Sequence, residues 1–176
     1  MGEGAASLVL STRAKARELG AKPLATVAGT AIGCDPTHIT AFHPDGAVVE
    51  RIARGALRRG GIRPEDIGWV NAHATATPRN DIMESAALKR LLGDALPSIP
   101  VSGTKPCTGH LLGGSGLLEA VWCVMALRDG VAPPTVGLKE IDEYCDGPRY
   151  VMGCEEFIAN PVDRKSTRLN SSHRIR

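Results

Sequence analysis

The sequence predicts an α/β protein in which a mostly parallel mixed sheet carries helices on both faces. Short β-branched runs alternate with segments of helical period along the chain. A hydrophobic content of 43% with only 3% aromatics calls for a core of Val, Leu, Ile and Ala, as in layered α/β folds. Two histidines, His73 and His110, each stand in a loop between an apolar strand and a helix, where such folds present reacting groups.

Ala6 to Leu10 reads as a strand, followed by a short helix from Thr12 to about Gly20. Leu24 to Ile32, rich in β-branched and small residues, is a second strand candidate, and Asp35 to Pro44 is a loop. With Asp45 as N-cap, Val48, Val49, Ile52, Ala53, Ala56 and Leu57 recur at helical spacing until Gly60-Gly61. Ile67 to Ala72 is a buried strand, Asn80 to Leu92 a helix stopped by Gly93, and Ile99 to Ser102 another short strand. Leu112 to Arg128 is helical and apolar nearly all round, which marks it as central. Tyr150 to Met152 makes a last, weak strand.

The chain has 176 residues, enough for one domain with a sizeable core or for half of a larger one. Its formal charge of +2 is misleading, because residues 163–176 hold five of the 21 Lys and Arg and one of the 19 acidic residues. The remainder carries 16 basic and 18 acidic groups, a net of −2, and so offers no footprint for a nucleic acid. Residues 159–176 read as a disordered tail. Asp163 to His173 also resembles the translation of a sequencing-library adaptor, a non-native scar; a basic arm for nucleic acid is the rival reading.

Five cysteines without a Cys-x-x-Cys pair suggest neither a disulfide framework nor a zinc site, and reduced thiols fit the cytoplasm. The longest apolar run, Leu111 to Leu127, contains Glu119 and is short of a membrane span. Neither Gly-rich stretch has phosphate-loop or dinucleotide spacing.

Two histidines with a lysine, Lys105, between them in sequence suit developing negative charge. The segments Val70-Asn71-Ala72-His73-Ala74-Thr75-Ala76-Thr77-Pro78 and Thr104-Lys105-Pro106-Cys107-Thr108-Gly109-His110-Leu111-Leu112-Gly113 carry these groups. Taken in order with Gly2-Glu3-Gly4-Ala5, Asp35-Pro36-Thr37-His38-Ile39-Thr40 and Pro44-Asp45-Gly46, they resemble the C-terminal half of the β-ketoacyl-acyl-carrier-protein synthases, the thiolase-like condensing enzymes. The likeness runs from Met1 to about Met152.

The resemblance implies decarboxylative Claisen condensation. An acyl chain sits on a cysteine, malonyl-carrier protein loses carbon dioxide, and the carbanion attacks the thioester. It implies that His73 and His110 donate to the enolate oxygen, and that Lys105 organises the histidine. By the same resemblance Glu84 pairs with Lys105, Thr75 and Thr77 hold the phosphopantetheine arm, and Thr40 lines that channel. No cofactor is implied beyond the phosphopantetheine of an acyl carrier protein. The implied partners are that carrier and a second subunit, in a homodimer or a ketosynthase heterodimer, with no nucleic acid and no membrane.

The chain also departs from the family pattern. Ala74 and Ala76 stand where the commonest family sequence has Gly and Ser, and no residue corresponds to the nucleophilic cysteine of the N-terminal half. The adaptor-like tail replaces the final family strand and its Gly-rich gate. These departures imply a truncated domain over residues 1–158, inactive alone, with Met1 internal or a miscalled start. Two rivals remain. One is a non-catalytic chain-length-factor-like subunit, which would have no use for His73, Lys105 and His110. The other is a Cys107-His110 acyl hydrolase, since a thiolate beside positive charge is activated. Thr75 and Thr77 are also open to a plain reading, as caps of the following helix with Asn80.

Overall fold

The computed structural model describes residues 1–38 and 42–158; Thr40 and the tail at 159–176 lie outside them. The described elements are α1 (Arg13–Glu18), α2 (Ala47–Gly60), β1 (Val70–Asn71), α3 (Pro78–Leu92), β2 (Pro100–Ser102), α4 (Lys105–Thr108), α5 (Ser115–Asp129), β3 (Val131–Ala132), β4 (Arg149–Tyr150) and β5 (Glu156–Phe157). Strands β1, β2 and β4 form a parallel sheet in that order, and β3 pairs antiparallel with β5.

Central β2 is buried throughout, and Val101 has no exposed surface. Leu57 of α2 and Leu88, Leu91 and Leu92 of α3 close round it, joined by Leu96 and Ile99 from the segment between α3 and β2. The Trp69 indole donates to Ser102 Oγ at 2.9 Å and fastens β1 to β2 beside the ladder. Because β1 and β2 are parallel neighbours, the loops after them leave from the same sheet edge, and those loops carry His73 and Lys105.

Helix α2 starts two residues after the expected cap. Gly46 takes the N-cap position at φ +67°, while the Asp45 carboxylate still accepts the Ala47 N–H at 2.9 Å. A side chain at Gly46 would meet the backbone of Met83 and Ala87, so the glycine lets α2 and α3 approach closely.

Two expected strands are absent. Ala6 to Leu10 and Leu24 to Ile32 join no ladder among the described residues. Both runs have strand composition, but a strand exists only with a partner edge, and none of the described strands lies alongside. Instead, the second run lies against α2, where Arg59 donates to the Thr30 carbonyl at 2.8 Å. Nor is α5 central: of its residues only Ser115 and Ala126 are buried, and Leu117 and Met125 are 42% and 37% exposed.

Val9 and Ile32 are 99% and 100% exposed, beside unpaired backbone, which is the signature of a surface that seeks a partner. The isolated 176-residue chain is therefore expected to self-associate. Size-exclusion chromatography with light scattering checks this, and a monodisperse monomer at micromolar concentration contradicts it.

Candidate active site

β1 runs into Ala72 and His73, and β2 runs through Gly103 and Thr104 into α4, which opens with Lys105. The Lys105 side chain, only 6% exposed, reaches back across the sheet edge. Its ammonium donates to His73 Nδ1 at 3.1 Å, to the His73 carbonyl, and to Glu119 Oε1 at 2.5 Å. All three acceptors are well placed for a group with three N–H bonds.

An ammonium has no lone pair, so His73 Nδ1 must be the unprotonated nitrogen, and the proton of the neutral ring sits on Nε2. Partial burial, followed by the Lys105 charge, holds the pKa of His73 below the ordinary histidine value, so the ring is neutral at pH 7.

His110 lies between α4 and α5, and its ring meets that of His73 edge to face, with centroids 5.3 Å apart at 88°. One oxygen accepting from two N–H groups at about 2.9 Å each spans a gap of this size. The Nδ1 atom of His110 accepts the Leu112 N–H at 3.2 Å and lies 2.9 Å from Ser115 Oγ. The structure thus brings His73, His110 and Lys105 into one cluster.

Glu84 requires a correction. Its carboxylate does not pair with Lys105; it accepts the backbone N–H groups of His73 at 2.6 Å and Ala74 at 2.9 Å. The helical position of Glu84 points under the 73–77 loop, which is satisfied by those two amides, whereas Glu119 on α5 faces the ammonium. The sequence held the signal for Glu119: it is the single charge within the apolar run Leu111 to Leu127, and a carboxylate buried there needs a cation. Sequence reasoning also missed Ser115.

Thr75 and Thr77 share a hydroxyl hydrogen bond at 2.9 Å; Thr77 occupies the N-cap position of α3, but its side chain makes no bond to the helix. Cys107 is exposed on α4, and no hydrogen bond joins its thiol to His110 among the described residues. Burial pushes the Cys123 thiol up to about 11, which keeps it protonated and poorly nucleophilic.

The loop between His73 and Thr77 is bent by two left-handed residues, Ala74 at φ +41° and Ala76 at φ +57°. The methyl group of Ala74 also stands over Gly103, where a side chain on the glycine would meet it at 2.5 Å. For alanine, this backbone region costs about 1–2 kcal/mol. Ala74→Gly relieves that strain but adds chain entropy on unfolding, so the net expected gain is about 0.5 kcal/mol. Denaturant unfolding of the two proteins side by side checks it.

The parallel sheet with its strand-end cluster of two histidines and a lysine defines a class, the thiolase-like α/β proteins. The profile of the beta-ketoacyl synthase C-terminal domain matches residues 24–139, and the chain belongs to the beta-ketoacyl synthase family. It is 46% identical over 146 residues to the 3-oxoacyl-[acyl-carrier-protein] synthase 2 of Synechocystis sp., a match covering 83% of this chain and 35% of the synthase. The chain thus spans about a third of that relative's length. The solved ishigamide ketosynthase/chain length factor superposes with a TM-score of 0.82 at 35% identity, over 89% of this chain and 38% of that one. A type II polyketide ketosynthase solved with its acyl-carrier protein gives 0.79 at 29% identity, over 83% and 36%.

Proposed function

We propose that this chain supplies the decarboxylation side of a condensing-enzyme site that elongates acyl chains from malonyl-acyl-carrier protein. The observation that carries the reading is the edge-to-face pair of His73 and His110 rings, 5.3 Å apart and backed by the Lys105 ammonium. As carbon dioxide leaves the malonyl group, its electron pair becomes an enolate, and the thioester oxygen gains negative charge. Imidazole N–H groups donating to that oxygen stabilise the charge without giving up a proton. The enolate carbon then attacks an acyl thioester held on a cysteine, expelling the thiolate.

That cysteine has no counterpart here, so residues 1–158 act as a domain that is inactive without the part bearing it. Thr75 and Thr77, and Thr40 from outside the described residues, hold the phosphopantetheine arm of the acyl carrier protein, which brings the substrate and leaves no separate cofactor to bind. The working assembly is a cytoplasmic dimer, of like subunits or with a chain-length-factor partner. No helix among the described residues is long and apolar enough to cross a membrane. The tail at 159–176 has no role in this scheme.

A chain-length-factor role for the chain itself is the second reading, favoured by the likeness to the ishigamide complex. Against it stands the complete ion-paired cluster, which a subunit performing no decarboxylation has no reason to keep.

The test is a chimera in which the matched segment of the Synechocystis synthase is replaced by this chain's. Condensation of an acyl group with malonyl-acyl-carrier protein is expected from the chimera and not from the isolated chain. A well-folded chimera without activity favours the non-catalytic partner. Elongation by the 176 residues alone refutes the reading of an incomplete site.

A further inference from the structure

We propose that Ser115 is a positioning residue for His110: its hydroxyl donates to Nδ1 and so fixes the ring proton on Nε2. Ser115 opens α5 and is only 4% exposed, so no water competes for its hydroxyl. Its oxygen accepts the Leu111 N–H at 2.8 Å and lies 2.9 Å from His110 Nδ1. The Leu112 N–H also points at Nδ1, from 3.2 Å.

These three contacts allow one arrangement of protons. Because the Leu112 amide is a donor, a proton on Nδ1 would face another proton. Nδ1 therefore keeps its lone pair, and the hydrogen between it and Oγ belongs to the serine. Of the two donors sharing that lone pair, the hydroxyl is the nearer, so it contributes more to the choice of tautomer. The Leu111 N–H in turn directs the serine, since an oxygen already accepting from the backbone turns its own proton elsewhere.

His73 reaches the same tautomer by other means, a lysine ammonium on Nδ1. Both rings thus present Nε2–H donors, one set by a charge and the other by a neutral hydroxyl. A neutral donor suits the second ring: it selects the tautomer without adding another cation to the cluster.

The functional meaning rests on the decarboxylation reading above, but the tautomer is read without turnover, so the two can fail separately. The measurement is long-range 15N–1H correlation of the full chain labelled in its histidine rings, at neutral pH. Wild-type protein is expected to show His110 with a bare Nδ1 and a protonated Nε2. Ser115→Ala is expected to shift the tautomer ratio toward Nδ1–H by about two- to tenfold, the worth of one hydrogen bond. Ser115→Thr, which keeps the hydroxyl, is expected to restore it. A merely structural serine at a helix start would leave the ring nitrogens unmoved. Unchanged His110 nitrogens in Ser115→Ala overturn the proposal. So does a proton on Nδ1 in the wild type, an outcome that needs no variant to fold.

Discussion

Replacing His110 by alanine in the chimeric synthase is expected to lower malonyl decarboxylation about 10²–10³-fold, the usual cost of deleting one donor from an oxyanion site. His73→Ala is expected to lose as much. The two losses should not multiply, because an oxygen deprived of one donor is already poorly held, and the double variant should fall within about tenfold of either single one. Glutamine carries an amide N–H close to where Nε2 sits, so His110→Gln should recover part of the loss. Substrate binding should move little, since the donors act on charge that appears only as carbon dioxide leaves. Measuring release of labelled carbon dioxide separates this step from acyl transfer. Full decarboxylation by either alanine variant removes the basis for the proposed function.

The parts of the fold legible in the sequence were those set by local pattern. The apolar faces of α2 and α3 follow helical spacing, and Gly61 and Gly93 end them where the pattern ends. β2 announces itself as a short run between turn residues and proves to be the buried centre of the sheet. By contrast, Ala6 to Leu10 and Leu24 to Ile32 have strand composition without a ladder, because pairing depends on a neighbouring edge that composition does not reveal. The apolar circumference of α5 was visible, yet its exposure of Leu117 and Met125 depends on what else surrounds it.

For the site, the motifs located His73, Lys105 and His110, and the parallel pairing of β1 with β2 explains why residues about thirty apart meet. The error over Glu84 has a physical origin. Two carboxylates on different helices approach the same loop, and sequence order alone does not say which meets the ammonium and which the amides. Ser115 was hidden because a single helix from Leu112 puts it inside the first turn, whereas in the structure a separate turn ends at Gly114 and α5 opens on the serine itself.

Lys105→Met is expected to destabilise the protein by about 3 kcal/mol, as breaking a buried ion pair does. The change removes the cation but leaves the Glu119 carboxylate 16% exposed in an apolar helix, together with an unsatisfied His73 carbonyl. Most of that cost comes from the stranded charge rather than from a large net attraction in the intact pair. Lys105→Met with Glu119→Leu should therefore return to within about 1 kcal/mol of the parent, since no charge is then stranded and only the His73 carbonyl and Nδ1 are left without their donor.

The same pair of variants tests the chemistry, because the charge acting on His73 changes with them. Burial and then the Lys105 ammonium hold the His73 pKa below 6.5, while Glu84 and Glu119 oppose them and the His110 ring adds slightly to the lowering. In the parent, the unfolded chain takes up a proton at this ring before the folded one does. Its contribution to stability is thus complete above the unfolded value near 6.5 and is lost as pH falls from there towards the folded value. Lys105→Met raises the folded pKa and narrows that window, so the fall in stability between neutral and mildly acid pH should be shallower. Activity behaves differently from stability: the double variant regains its fold, but His73 Nδ1 has lost the donor that keeps the ring proton on Nε2. Chimeras carrying the double change should remain impaired in decarboxylation while unfolding like the parent. Recovery of both together would mean that Lys105 serves the fold alone.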